Sequence, residues 1–129
     1  GCLNNYVDGW IDWNMVLDTQ GGPNWFKNWC LAPVIVAPEK DEVYFTPLYY
    51  TLAHFSKYIR PGAVVMDVEH SDQELLVTAA ENPNGTISVV VFNEGVQKKN
   101  FKIRLEDKET ALHINPQAIQ TIVIPAKIN

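Results

Sequence analysis

Aromatic side chains of the kind that bind sugars are concentrated near the start of the chain. All four tryptophans of the 129 residues lie within the first thirty positions: Trp10, Trp13, Trp25 and Trp29. An indole ring can lie flat against the apolar face of a sugar while its N–H reaches a hydroxyl. A single tryptophan is more often a core residue. Four of them around a Gly-Gly-Pro-Asn loop predict that at least one contacts a ligand.

We do not assign a catalytic pair to the carboxylates of the same region. Glycoside hydrolysis needs two carboxyl groups flanking the bond that is cleaved, and Asp12 and Asp18 are the candidates. Asp18 begins a loop, however, and Asp12 near a strand end has an ordinary role in bonding the backbone or an aromatic N–H. We therefore predict no catalytic residue in this chain.

The histidines and cysteines are scattered. His54, His70 and His113 are isolated, and no Cys/His cluster has metal-ligand spacing. We therefore expect no metal site and no cofactor. Cys2 and Cys30 are either two buried thiols or, if strand geometry brings them together, a disulfide, and the first interpretation is favoured.

Bulk composition excludes several classes of partner. The formal net charge is -5 at pH 7, and the sequence has no basic stripe that would bind nucleic acid or anionic lipid. No stretch approaches eighteen apolar residues, so we expect no membrane span. The first residues lack the basic start and apolar run of a signal peptide, which indicates either a cytoplasmic protein or one whose N-terminus has been removed.

The first half is predicted to contain a strand, a long loop and a helix. Residues 9–17 suit a buried strand whose end faces a site, and residues 32–37 are apolar but too short for a helix. Thr46 is a good N-cap and Pro47 fits the first helical position. The helix is expected to bury one face and to stop at Pro61-Gly62; that face consists of Leu48, Leu52, Phe55 and Ile59.

The second half is predicted to be antiparallel β-structure. Short runs rich in β-branched residues alternate with turn residues, as in a sandwich or a small barrel. The expected strands are residues 63–69, 74–81, 86–92, 101–105, 111–114 and 118–124. Asn84-Gly85-Thr86 matches an N-glycosylation acceptor, but Asn-Gly between two strands also favours a type I′ hairpin turn, and we prefer the turn.

Several of these runs, in this order and spacing, resemble the glucosylceramidase family (glycoside hydrolase family 30). The resemblance covers essentially the whole chain, is carried mainly by residues up to Gly62, and rests on strand pattern beyond that. The matching runs are Gly9-Trp10-Ile11-Asp12-Trp13-Asn14, Leu17-Asp18, Gly21-Gly22-Pro23-Asn24-Trp25 with Asn28, Leu48-Tyr49-Tyr50, His54-Phe55-Ser56-Lys57-Tyr58-Ile59 and Pro61-Gly62.

The resemblance implies an α+β fragment: the last strand and helix of a (β/α)8 barrel, in residues 1–62, followed by an antiparallel β-sandwich domain in residues 63–129. The eighth barrel strand would be residues 9–17. A complete barrel needs about 250 residues, so most of it would lie outside this chain. Both catalytic glutamates of the family would lie upstream as well.

The resemblance also implies a substrate site. It maps two glucose-contacting positions onto Trp13 and Asn28, and it implies a retaining hydrolase of β-glucosides such as glucosylceramide. Trp29 and Cys30 depart from the pattern, which leaves the aglycone preference open. The expected partners are the missing N-terminal barrel and the substrate, and a secreted or otherwise exported location is favoured.

Two alternatives remain at this point. One is a stand-alone carbohydrate-binding β-sandwich with an N-terminal extension, and the other is an interaction domain without a sugar role. Tryptophan is absent after Trp29, which counts against the first. A lone strand-loop-helix piece would also leave apolar edges in water, so we expect the isolated chain to self-associate through its tryptophan-rich half.

Overall fold

Short strands and turns make up most of the chain, with one α-helix between two groups of strands. The computed structural model describes residues 2–126. Its strands are β1 (Val16–Asp18), β2 (Val34–Ala37), β3 (Glu42–Phe45), β4 (Val64–Met66), β5 (Leu75–Glu81), β6 (Ile87–Asn93), β7 (Lys99–Leu105), β8 (Lys108–Ile114) and β9 (Ile119–Ile124), and the helix is α1 (Pro47–Ser56).

The strand predicted for residues 9–17 is wrong over most of its length. Only Val16 and Leu17 of that range belong to a strand, β1, which pairs in parallel with β2. Asn14 has a left-handed backbone (φ 53°), which interrupts an extended run. Within the described residues, no strand pairs with residues 9–14, and an extended segment needs neighbours on its edges to become a barrel strand.

The sequence interpretation missed a hairpin between the loop and the helix. Residues 34–37, left unassigned as a short apolar segment, form β2, and β3 returns antiparallel to it in a three-stranded sheet of order β1-β2-β3. The signal was present, because both strands are rich in β-branched and aromatic residues. The turn between them closes at Asp41, another left-handed residue (φ 54°).

The predicted helix is present, and it ends at Ser56, before the expected stop. Thr46 occupies the N-cap position and Pro47 the first turn, but the Thr46 hydroxyl makes no cap bond and instead lies 3.1 Å from the carbonyl oxygens of Ala32 and Pro33. Beyond the other end, the Arg60 guanidinium donates to the Ser56 carbonyl, where the helix dipole favours a cation. No residue of α1 is fully buried, so its apolar face is only partly covered.

The second half is an antiparallel β-sandwich, as predicted, and all six expected strands are present within a residue or a few of their predicted ends. One sheet has the order β4-β5-β6-β9, and β7 pairs with β8 as a hairpin. The core lies between this hairpin and one face of the four-stranded sheet. It is built on Leu75, Ala79, Val89, Val91 and Ile114, with Phe101 and Ile103 of the hairpin packed against them.

The two faces of the four-stranded sheet have different neighbours. Pairing places Thr78, Val90 and Thr121 on the face turned away from the hairpin, together with Ser88, and α1 lies against this face. On the hairpin side, an open cleft of about 1400 Å³ remains between the two sheets. The sheet is therefore the middle layer between α1 and the hairpin.

The β5–β6 turn differs from the type I′ turn that Asn84-Gly85 suggested. Type I′ needs a positive φ at both central residues, and in this turn only Gly85 has one (φ 78°). The Gly85 N–H donates to the Asn82 carbonyl at 2.8 Å, so the central residues are Pro83 and Asn84. Thr86 donates to the Asn84 side-chain oxygen from both its N–H and its hydroxyl, which explains this Asn-Gly-Thr sequence as a turn.

Candidate functional site

The loop that follows β1 is organised by Asp18. Its carboxylate accepts hydrogen bonds of 2.8 Å from the N–H groups of Gln20 and Gly22, and its carbonyl accepts from Gly21 at 3.0 Å. Asp12 acts in a similar way and accepts from the N–H of Trp13 at 2.8 Å. Both aspartates thus have local backbone-bonding roles, as the sequence interpretation assigned to Asp12.

The Gly21-Gly22 pair lets the two arms of this loop close on each other. A Cβ at Gly21 would lie 3.0 Å from the Cys30 carbonyl oxygen, and Gly21 has a φ of 78° that L side chains rarely adopt. A Cβ at Gly22 would lie 3.1 Å from the Asp18 carboxylate. At Gly21 any larger residue would push the arms apart, because it would meet the backbone of the return arm. The return arm, which carries Asn28, is consequently held against the turn that leaves β1.

The two predicted sugar-contacting residues lie on either side of β1 in the sequence, and both are exposed. Trp13 precedes β1 and leaves 72% of its surface accessible, and Asn28 lies on the loop after it. Each is next to a left-handed residue, Asn14 (φ 53°) and Lys27 (φ 51°) respectively. For lysine this backbone conformation is strained, and strained residues cluster at functional sites because the surrounding structure must hold them. The sequence interpretation had no signal for Lys27.

Large aromatic side chains surround Asn28 on the same loop. Trp25, Phe26 and Trp29 are 99%, 87% and 61% exposed. Cys30 follows them and is not bonded to Cys2, since both thiols are free. The expectation of two buried thiols is wrong, because Cys2 is exposed and Cys30 is half-buried. That at least one of the tryptophans contacts a ligand stays a prediction, because these rings contact solvent in the described chain. The described residues also contain no group of three or more His, Cys, Asp or Glu side chains that could hold a metal ion.

His54 lies on the side of α1 that faces the sandwich. Its Nδ1 is 2.8 Å from the Thr121 hydroxyl of β9, and partial burial lowers the pKa of its imidazole below the ordinary value. This contact joins the helix to the sandwich and lies apart from the Asp18 loop. Across residues 2–126, no helix is long and apolar enough to cross a membrane.

Comparison with known families accounts for both halves of the chain. Residues 1–59 match the glycosyl hydrolase family 30 TIM-barrel domain, and residues 62–122 match the glycosyl hydrolase family 30 beta sandwich domain. The chain belongs to glycosyl hydrolase family 30. Its first half is therefore the end of a TIM barrel, and the sandwich is the second domain of that family, as the resemblance of the sequence implied.

Individual relatives agree with the family assignment. A Caenorhabditis elegans protein named as a glucosylceramidase is 37% identical over 128 residues, which is 95% of this chain and 25% of that protein. The mouse lysosomal acid glucosylceramidase is 43% identical over 89 residues, 68% of this chain and 17% of that protein. A solved endo-β1,6-glucanase superposes with a TM-score of 0.88 at 26% identity, covering 97% of this chain and 28% of that one.

The family 30 chain described here thus spans about a quarter of the length of the C. elegans relative and of the solved glucanase. The three matches cover 95%, 68% and 97% of this chain. The remainder of each relative has no counterpart in these 129 residues.

Proposed function

We propose that this chain is the C-terminal part of a retaining β-glucosidase, that it contributes Trp13 and Asn28 to the glucose site, and that it is inactive on its own. The proposed reaction class, retaining hydrolysis of β-glucosides, rests on family membership. The proposed division of roles rests on the family resemblance: this part supplies groups that hold a sugar, and the acid/base and the nucleophile come from the rest of the barrel.

The observation that best supports the proposed site is the geometry of the β1 loop. Two glycines let its arms close, Asp18 fixes its turn, and the strained Lys27 orients the segment that presents Asn28. A loop held this firmly on a rigid strand end can keep a side chain in one place, which substrate binding requires. Active sites of TIM barrels are built from such loops after the strands.

The chemistry of the two residues suits glucose. Trp13 offers an exposed apolar wall for the C–H face of the ring, and the Asn28 carboxamide offers both donors and an acceptor for hydroxyls. Neither side chain can transfer a proton at neutral pH, so both act by orienting the sugar. In a retaining enzyme the bond would be cleaved by two carboxyl groups about 5 Å apart, and the aspartates near Trp13 are engaged with backbone N–H groups.

The relatives suggest two classes of substrate. Those named glucosylceramidases favour a β-glucoside with a lipid aglycone, and the endo-β1,6-glucanase favours a β-linked glucan. We favour the glucoside, since the glucosylceramidase relatives are the more similar in sequence. The carbohydrate-binding-module alternative loses its rationale, because its supposed N-terminal extension matches a barrel domain.

The test compares the isolated chain with the full-length enzyme that contains it. We expect the full-length enzyme to release the chromophore from an aryl β-glucoside and the 129-residue chain to release none above background. Glucosylceramide and a β1,6-glucan are then assayed in parallel to identify the substrate class. Hydrolysis by the isolated chain, lost on Asp12→Asn or Asp18→Asn, would show that the catalytic groups lie here after all.

A further inference from the structure

The end of α1 meets the sandwich through buried polar groups. Asn82 follows β5 and is 6% exposed, and Ser88 in β6 is 1% exposed. A buried polar side chain is stable only if its hydrogen bonds are made. The partners of these two residues are therefore the reason that polar groups occupy this position.

Both side chains bind the backbone just beyond the helix. The Asn82 amide donates to the Tyr58 carbonyl at 2.9 Å, and its oxygen accepts from the Arg60 N–H at 2.9 Å. Ser88 donates to the same Tyr58 carbonyl at 2.7 Å. A helix leaves its last carbonyls without intrahelical partners. In α1 the following residues satisfy those carbonyls, with the Ile59 N–H on Phe55 and the Arg60 guanidinium on Ser56. The sandwich instead binds the turn after the helix, at Tyr58 and Arg60.

A second contact on the same side of the helix fixes its direction. His54 lies four residues before Tyr58, on the same face of the helical segment, and it meets Thr121 of β9 at 2.8 Å. The Asn82 and Ser88 contacts come from the β5–β6 hairpin, whereas the His54 contact comes from β9. Two anchors on different strands prevent the helix from pivoting on the sheet.

The other end of α1 is tied to the loop that carries Asn28. The Thr46 N–H donates to the Pro33 carbonyl at 2.9 Å, and its hydroxyl lies 3.1 Å from the Ala32 carbonyl oxygen. Ala32 is completely buried, so this junction cannot shift without disturbing its surroundings. A helix of this length spans about 15 Å, and it connects the sandwich at one end with the end of the Asn28 loop at the other.

From this chain of contacts we infer that Asn82 is a positioning residue for the sugar site: by binding the turn that follows α1, it fixes the helix on the sandwich and so holds the base of the Asn28 loop in place. The inference rests on the proposed function only where it concerns glucose. Its structural part, coupling between Asn82 and the loop, stands on the contacts alone. The sandwich thereby has a role in the barrel's binding site without touching the substrate.

The structural part is tested by hydrogen–deuterium exchange on the 129-residue chain. We expect Asn82→Ala to speed exchange in α1 and in residues 19–31 by roughly two- to tenfold, as loss of one or two hydrogen bonds predicts. Asn100→Ala, an exposed asparagine of β7 in the same domain, is the matched control and should change neither. Faster exchange at the helix end with an unchanged loop would overturn the inference.

A milder variant guards against simple unfolding. If Asn82→Ala also speeds exchange of the Val90 amide in β6, the whole sandwich has been weakened. In that case the exchange of Ser88→Ala tests the inference in its place. Ser88→Ala removes one of the two bonds to the Tyr58 carbonyl, so the helix and the loop should respond together and less strongly. A response confined to the helix in this variant also overturns the inference.

The functional part is tested in the full-length enzyme with an aryl β-glucoside. We expect Asn82→Ala to raise KM several-fold with a smaller change in kcat, because a displaced loop weakens binding of the sugar in both ground and transition states. Asn100→Ala should leave both constants unchanged. An inactive wild-type enzyme would refute the proposed function and leave the exchange result intact, whereas normal kinetics for Asn82→Ala would refute the positioning role.

Discussion

The two halves of this chain bury their apolar residues to very different extents. In the sandwich, Val91 and Ile114 are 1% and 2% exposed, and the strands around them form a continuous core. In the barrel piece, Ile11 and Trp25 are 97% and 99% exposed. Both halves have strongly apolar sequences. The difference shows that a sandwich closes most of its core within consecutive strands, whereas the end of a barrel is completed only by strands distant in sequence.

The largest effect should come from the barrel piece, the half whose apolar residues are exposed. In the full-length enzyme, Trp13→Ala removes the proposed wall of the glucose site, and we expect kcat/KM to fall by about a hundredfold or more. Circular dichroism and thermal midpoint should be unchanged, because the ring packs on little within this chain. The matched control is Trp25→Ala, which removes another exposed indole from the same region.

A Trp13→Ala enzyme with the wild-type rate would make Trp13 a core residue of the complete barrel. A parallel Asn28→Ala variant, with Asn24→Ala as its control on the same loop, separates the polar from the apolar contribution. We expect Asn28→Ala to cost about tenfold or more in kcat/KM, as the loss of hydrogen bonds to a bound substrate does.

Isoleucine-to-alanine substitutions should lower stability strongly in the sandwich and very little in the barrel piece. Ile114→Ala leaves a cavity in the sandwich core and is expected to lower the free energy of unfolding by about 2–5 kcal/mol. In a single copy Ile11 contacts almost only solvent, so at concentrations that keep the chain monomeric Ile11→Ala should change stability by less than about 0.5 kcal/mol. Urea denaturation of the isolated chain measures both. A large cost for Ile11→Ala in the monomeric chain would show that the tryptophan-rich half is buried within a single copy.

Self-association is the route by which that half would become buried. Exposed apolar area of this size is rarely left in water, so we expect sedimentation of the isolated chain to give a mass above that of one copy. Leu48→Glu on the exposed face of α1 should shift the chain toward monomer. Val96→Glu, an equally drastic change at an exposed position of the sandwich, should not. A monomer with slow amide exchange across residues 9–59 would contradict the expectation.

The smallest effect concerns the contact between the halves. Well above pH 6.5 the His54 imidazole is neutral in both the folded and the unfolded chain. At lower pH, the unfolded chain binds a proton that the folded chain resists, because burial lowers the pKa of His54, so stability should fall until the pH passes the folded-state pKa. Among the described strands of the four-stranded sheet, none places a titratable side chain on the face against α1.

The measurement is the difference in unfolding free energy between wild type and His54→Gln from pH 8 to pH 5. The glutamine side chain of this variant keeps a partner for Thr121 without titrating, so the difference between the two proteins should shrink or change sign as the pH falls. A constant difference over this range would mean that the imidazole is as accessible to protons in the folded chain as in the unfolded one.

Much of the fold could be predicted because its signals are local. The strands of the sandwich follow from β-branched runs and turn residues, and the start of α1 from Thr46 and Pro47. The candidate site could be predicted only in part. The tryptophan cluster indicated sugar binding, but choosing Trp13 and Asn28 required the family resemblance, and neither Lys27 nor the close approach of Gly21 to Cys30 has a pattern that a sequence displays.

The sequence by itself determined where the sandwich turns, where the helix begins and which strands form the sandwich, since each depends on residues a few positions apart. Only the tertiary structure decided that β1 pairs with β2, that residues 9–14 form no strand, and that Asn82 binds the turn after a helix which ends far upstream. The contacts of Asn82 with Arg60 and of His54 with Thr121 join residues 22 and 67 positions apart. Such pairs form because packing brings unpaired polar groups together, and no local preference of either residue specifies its partner.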